Sequence, residues 1–341
     1  LSAGFGEDSS KPYPFFLAHP LEKTAEELGD PEDWQVEWKW DGIRGQLIHR
    51  AGETFVWSRG EELVSDKFPE LLALGEHLPD GTVLDGEILC FQDSSPLPFN
   101  LLQTRIGRKN LSKKILEAAP VSILVYDLLE FEGKDIRAIP LADRRMLLEE
   151  LYLKTNHPNL QISNPIQAQT WGDFELIRAE SRAHFAEGFM LKRKDSSYET
   201  GRKRGSWWKW KIDPLTIDGV MLYAQKGHGR RSDLYSDYTF AVWDGDLLVP
   251  FAKAYSGLTD AEMQQVDAFV KKNTKERFGP VRTVTPELVF EIAFEGIQDS
   301  PRHKSGIALR FPRISRWRKD KTKEEANTLA DLKDLLKLYG G

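Results

Sequence analysis

Residues 34–41 read Trp-Gln-Val-Glu-Trp-Lys-Trp-Asp, with apolar residues at even positions and polar residues at odd ones. That is the period of a half-buried β-strand. Glu37, Lys39 and Asp41 share one face, while large apolar side chains anchor the other. Gly42 then lets the chain turn, and Arg44 follows. The run 207–211, Trp-Trp-Lys-Trp-Lys, repeats the device with Lys209 and Lys211 on one face. The pattern predicts further strands over 54–58, 82–91, 122–129, 189–193 and 207–212, and helices over 67–76 and 141–153. Another helix starts at Thr170, with Asp173 as its capping partner. Asp213-Pro214 marks a boundary, since Pro ends the preceding strand.

Beyond that boundary, 219–224, 238–243, 247–254, 287–295 and 307–311 read as strands joined by polar or Gly-containing turns. Thr259 and Glu262 form a capping box for a helix with Met263, Val266 and Phe269 at helical spacing. Leu329, Leu332, Leu335 and Leu336 share one side of a terminal helix over 324–338. The expected class is α+β. A flexible leader (1–14) precedes a mixed domain of antiparallel sheets with flanking helices (15–213). A small β-barrel of oligonucleotide-binding (OB) type with a C-terminal helix (214–341) follows.

The 341 residues suffice for two domains, and 40% hydrophobic residues with ten tryptophans can fill their cores. Mean hydropathy is −0.47, and no apolar stretch reaches the length of a membrane span, so no membrane partner is expected. The N-terminus lacks the apolar core of a signal peptide. One cysteine, Cys90, excludes a disulfide framework and a multi-cysteine zinc site. A cytoplasmic protein is expected, and the initial Leu suggests a piece of a longer chain. Net charge is −6, but Lys and Arg crowd 192–211 and 302–321. Local fields decide polyanion binding, so nucleic acid stays open as a partner.

A lysine fixed on a rigid strand between two carboxylates points to a nucleophilic amine in a polar pocket. Lys39–Arg44 fit K-x-D-G-x-R. Asp85 and Glu87 project to one face of a predicted strand, where paired carboxylates can bind a hydroxyl or a divalent cation; Asp-Gly also begins turns. Glu187 opens an apolar strand that ends at Lys192. Lys209 and Lys211, about 7 Å apart by two strand rises, could span one phosphate.

In order, Lys39–Arg44, Ser58-Arg59-Gly60, Asp85-Gly86-Glu87, Tyr126-Asp127, Glu187–Lys192 and Trp207–Lys211 resemble the motifs of the covalent nucleotidyltransferases. These are the ATP-dependent DNA ligases, RNA ligases and mRNA capping enzymes. Arg310-Phe311-Pro312-Arg313, then Arg318-Lys319-Asp320-Lys321, resemble the closing motif of ATP-dependent DNA ligases. The closest subgroup is a bacterial one that carries an extra helical DNA-binding domain before this core.

The resemblance implies an adenylation domain followed by an OB-fold domain, acting as a monomer in the bacterial cytoplasm at the nucleoid. It implies ATP and Mg²⁺, with Mn²⁺ as a substitute, and nicked duplex DNA as substrate. Lys39 would attack the α-phosphate of ATP, AMP would pass to the 5′-phosphate of the nick, and the 3′-hydroxyl would displace it. A free lysine has a pKa of about 10.4, so the amine needs cations nearby, here Lys209 and Lys211, to lose its proton. Glu187 is the expected metal ligand, with Asp41 and Asp85 as lesser candidates. Glu87 would hold the ribose, Tyr126 would stack on adenine beside Met190, and Glu37 would accept from the adenine amino group. Arg44, Lys192, Arg318 and Lys321 would complete the nucleotide site. Arg44, Ser58, Arg59, Arg204, Lys226, Arg230 and Arg231 would contact DNA. An RNA ligase, a capping-type enzyme and a non-catalytic nucleic-acid-binding relative are the alternatives.

Overall fold

Long apolar runs at 82–92 and 121–131 demand burial on both faces, and they become the spine of a sheet. In the computed structural model, which describes residues 9–93, 95–229 and 232–340, these are the strands Thr82–Gln92 and Val121–Phe131. The sheet runs Leu160–Ile162, Val121–Phe131, Thr82–Gln92, Ile43–Arg50, Glu53–Ser58, with two short strands added at its side. It is antiparallel except where Leu160–Ile162 joins. Helices Pro69–Gly75 and Leu141–Thr155 pack on it, and Phe68, Leu71, Leu84, Ile88, Val125 and Leu148 meet in its core. Asp85-Gly86 lies mid-strand rather than in a turn. Cys90, on the same strand, is buried, and burial pushes its thiol up to about 11.

A second sheet runs His19–Pro20, Trp207–Lys211, Ala186–Arg193, Trp34–Trp40. Trp34, Val36, Phe189, Leu191 and Trp208 turn to a core closed by Trp171 and Phe174. Those last two sit on helix Trp171–Arg178, which begins with the expected Thr170–Asp173 capping box. The alternation at 34–41 is thereby explained: tryptophans on one side, charged groups on the other.

The chain divides into two compact units between Ile212 and Asp213. The second is an OB-type β domain. Its sheet runs Leu247–Ala254, Tyr235–Asp244, Leu215–Lys226, Val281–Val284, Thr274–Phe278, and Val289–Phe294 bridges Leu215–Lys226 to Arg313–Trp317. Helix Asp260–Asn273 opens at the Thr259–Glu262 box and buries Met263, Val266 and Val270. The terminal helix is shorter than its leucine pattern suggested, Leu329–Tyr339, because Thr328 and Asp331 cap it.

Residues 1–8 of the expected leader lie outside the described residues, but 9–14 are strapped down rather than flexible. The Tyr13 N–H donates to Gln46 Oε1 at 2.9 Å and its hydroxyl to Glu130 at 2.6 Å. The Trp57 indole N–H donates to the Ser10 carbonyl at 2.6 Å. Strand Ile43–Arg50 and helices Phe99–Ile106 and Lys113–Ala118 were not anticipated. Among the described residues no helix is long and apolar enough to cross a membrane.

Candidate active site

The pocket is built on the polar face of the second sheet. Strand register sets Glu37 opposite Met190 and Met190 opposite Lys209, so three side chains line up across three strands. Lys39 stands one strand repeat along, and its ammonium donates to the Glu187 carboxylate. Glu187 faces Lys39 because the register shifts between Ala186 and Phe189. Gly188 makes that bulge possible. Its φ is +127°, and a Cβ there would lie 2.3 Å from the Trp210 carbonyl oxygen.

The floor of the pocket is acidic and aromatic. Glu37 is 1% exposed. One of its oxygens accepts from the Lys192 ammonium at 2.9 Å and from the Gln35 amide at 3.2 Å. The other, Oε1, is buried with no hydrogen-bond partner among the described residues. Lys192 is itself buried, its ammonium 4.2 Å from the Tyr126 ring centroid and 4.6 Å from that of Trp207. The Tyr126 hydroxyl donates weakly to Glu87 at 3.4 Å, and burial drives its ionisation well above the usual range. Burial also pushes the Glu87 carboxyl up to about 7, against the pull of Lys39 and Arg44 and with Asp41 and Asp85 adding to it.

Asp85 was expected as a metal ligand, and the structure corrects this. It is fully buried, and its oxygens accept from Arg44 Nε at 3.1 Å, Arg44 Nη2 at 2.7 Å and the Tyr198 hydroxyl at 2.7 Å. Arg44 was expected on phosphate. It borders the pocket, but its fork is spent on Asp85 and on the Phe16 carbonyl at 2.7 Å. Burial pulls the Arg44 guanidinium down, but Asp85 holds it well above its ordinary range.

The rim is cationic. Arg59, Arg202 and Lys209 line it together with Lys39. Burial first, then the charges of Arg202, Lys39, Lys211 and Arg59, lower the pKa of Lys209. Met190, Lys192 and Tyr126 also line the pocket; Asp41, Ser58 and Lys211 do not. Arg204, expected on DNA, is exposed and lies 3.2 Å from Glu22. Its neighbour Arg202 is a pocket cation not among the expected site residues; Leu17, Ala18, Trp38, Trp40 and Trp207, also unexpected there, belong to the apolar lining. The clue was in plain view, an arginine after Gly201 in a basic run, but nothing local said which of three cations faces inward. In the second unit, Asp218 accepts from Arg318 at 3.2 Å and Lys321 at 2.7 Å, and the Arg318 fork lowers Asp320 to about 2. Lys226 lies 5.9 Å from the Tyr235 ring centroid. Arg230 and Arg231 lie outside the described residues.

A buried carboxylate oxygen awaiting a donor, an aromatic wall, a strand-borne amine and an uncompensated cationic rim suit a purine nucleotide with its phosphates outward. Mg²⁺ is held by one or two carboxylates plus phosphate oxygens and water, and Glu187 beside Lys39 fits that donor set. Among the described residues no three His, Cys, Asp or Glu side chains gather into a protein-only metal cage.

Residues 15–211 match the family model described as ATP dependent DNA ligase domain, and 231–321 match the ATP dependent DNA ligase C terminal region. A probable DNA ligase of Koribacter versatilis is 37% identical over 339 residues, covering 93% of this chain and 59% of that protein. One of Opitutus terrae is 39% identical over 335 residues, covering 89% of this chain and 33% of that protein. The chain therefore spans roughly a third to three-fifths of these relatives. The solved structure of mycobacterial DNA ligase D complexed with ATP and MES is 25% identical with a TM-score of 0.51, covering 92% of this chain and 98% of that chain.

Proposed function

The chain belongs to the ATP-dependent DNA ligases, and from that membership we propose that it adenylates Lys39 with ATP and seals nicks in duplex DNA as a monomer. The observation that carries this reading is the setting of Lys39. Its amine opens on a pocket with an unpartnered Glu37 oxygen at the floor and Arg59, Arg202 and Lys209 at the rim. In the first step the neutral Nζ forms a bond to the α-phosphorus, the bond to the bridging oxygen breaks, and pyrophosphate leaves. The proton lost by Lys39 has the Glu187 carboxylate beside it. Glu37 Oε1 accepts from the adenine amino group and disfavours guanine, whose carbonyl at that position would leave the oxygen unpaired. Tyr126 and Met190 give the base its apolar contacts, and Glu87 takes a ribose hydroxyl. Arg59 and Lys209 offset phosphate charge, which counts for more in a partly dry site than in water. Mg²⁺, when bound with Glu187 as its protein ligand, neutralises charge on the phosphates.

The test is covalent labelling with ATP carrying label at the α-phosphate, after any bound AMP has been removed. Wild type takes up label and Lys39→Ala takes up none. A wild type that stays unlabelled in the presence of Mg²⁺ leaves only a nucleic-acid-binding protein.

A further inference from the structure

We propose that Arg178 is a positioning residue for AMP loading: it fixes the peptide unit that aims Glu187 at Lys39. This rests on the ligase reading above and deepens it. Arg178 is the last residue of helix Trp171–Arg178, lies outside the pocket lining, and has a side chain only 16% exposed. Its guanidinium sits 4.5 Å from the Trp210 ring centroid, and Nη1 donates to the Lys211 carbonyl at 2.7 Å. The next amide, the Ile212 N–H, donates to the Glu187 carbonyl at 3.0 Å. The Lys211 carbonyl and the Ile212 N–H belong to one planar trans peptide, so they point opposite ways. One end of that plane holds Glu187, and Arg178 holds the other.

Strand order shows why a side chain is needed there. Trp207–Lys211 lies between Ala186–Arg193 and His19–Pro20. His19–Pro20 reaches only Trp208 and Lys209, and the Leu21 N–H takes the Lys209 carbonyl at 3.0 Å. At Lys211 that edge has no strand partner among the described residues, and Arg178 stands in for one. The base of the grip is firm, because the Thr170–Asp173 box caps the helix and Trp171 and Phe174 bury it in the core. A cation also suits a helix C-terminus. The bulge beside Glu187 rests on the same segment. A Cβ on Gly188 would meet the Trp210 carbonyl oxygen at 2.3 Å, Lys211 Cα at 2.6 Å and the Ile212 nitrogen at 2.9 Å. With so little slack, a tilt of the Lys211–Ile212 peptide passes to the Glu187 backbone, and from there to the carboxylate beside Lys39. That peptide is also the last one of the first unit, so Arg178 holds the chain where that unit ends.

The test compares wild type, Arg178→Ala, Arg178→Gln and Arg178→Lys. AMP loading is timed in single turnover against ATP concentration. Sealing of a nick that already bears AMP, a step in which Lys39 forms no bond, is timed separately. Arg178→Ala is expected to slow loading at saturating ATP about tenfold, the scale of one lost hydrogen bond from a charged donor. The KM for ATP should move by less than about threefold, and sealing of the AMP-bearing nick by less than about twofold. Arg178→Gln, which keeps part of the stem over Trp210 without the fork, should show the same pattern even if Arg178→Ala does not fold. Arg178→Lys, which keeps a cationic donor, should recover part of the loading. Because Arg178 acts through Glu187, adding Arg178→Ala to Glu187→Ala should slow loading by less than about twofold more. Equal slowing of loading and of AMP-bearing sealing would leave Arg178 with a role in the fold alone and overturn the proposal. Undiminished loading would overturn it, and so would effects that multiply in the double variant; in all three cases the ligase reading stands, because wild type still loads and seals. A wild type that takes up no AMP removes that reading, and this role with it.

Discussion

Arg44 and Glu87 border the same pocket, and burial acts on them in opposite ways. Arg44 keeps its charge because Asp85 is fully buried against it. Removing one partner of such a pair strands the other. Arg44→Ala is expected to cost about 3–5 kcal/mol of stability, measured by urea unfolding. Lost sealing with unchanged stability would instead return Arg44 to the phosphate. Glu87 has less support. Its carboxyl ionises near 4.5 in the unfolded chain and near about 7 in the fold. Between those values the folded state binds more protons, so this group's contribution is fully favourable below the lower value and is lost as pH rises through the upper one. Glu87→Gln removes that titration. Relative to wild type, its stability should improve by on the order of 3 kcal/mol between about pH 4 and pH 8. A difference that stays flat across pH would show that Glu87 ionises normally.

At the scale of single elements, the bulge at Gly188 couples folding to chemistry. Gly188→Ala forces a Cβ to 2.3 Å from a carbonyl oxygen at a φ of +127°, so a cost of roughly 3 kcal/mol or more is expected. AMP loading should fall with it, since Glu187 loses its aim at Lys39; normal melting and normal loading would mean the bulge is dispensable. Elements with a strong local signature were legible in advance. Strand Leu247–Ala254 lies where its apolar run between turns placed it, and the Thr170 and Thr259 boxes cap the helices they announced. What stayed hidden depends on distant partners. Asp85 looked free until Arg44, 41 residues away, and Tyr198, 113 residues away, closed on it. Arg202 gained its place from a two-residue parallel pairing that no periodicity reveals. Helices Phe99–Ile106 and Lys113–Ala118 are too short, and too polar in the second case, to show a stripe.

For the whole molecule, the net charge of −6 hides a pocket whose rim is positive, and the two proposed substrates should feel this differently. DNA brings a counterion atmosphere that each phosphate contact disperses, whereas ATP engages a small, partly enclosed site. Sealing should fall about tenfold or more between roughly 50 and 200 mM salt, with AMP loading changing far less. Equal sensitivity of the two steps would place the binding energy for DNA outside phosphate contacts. Each unit also has its own hydrophobic core, so a way to watch one of them alone is useful, and the protein supplies it. Cys90, the chain's one cysteine, lies 1% exposed on the strand that bears Glu87. A thiol-reactive dye finds nothing to attack until that strand comes loose, and then marks a single place per molecule. The unit holding Lys39 thus carries a concealed clock: the rate of dye uptake counts its openings, and any small molecule gripped by the folded pocket makes the clock run slow.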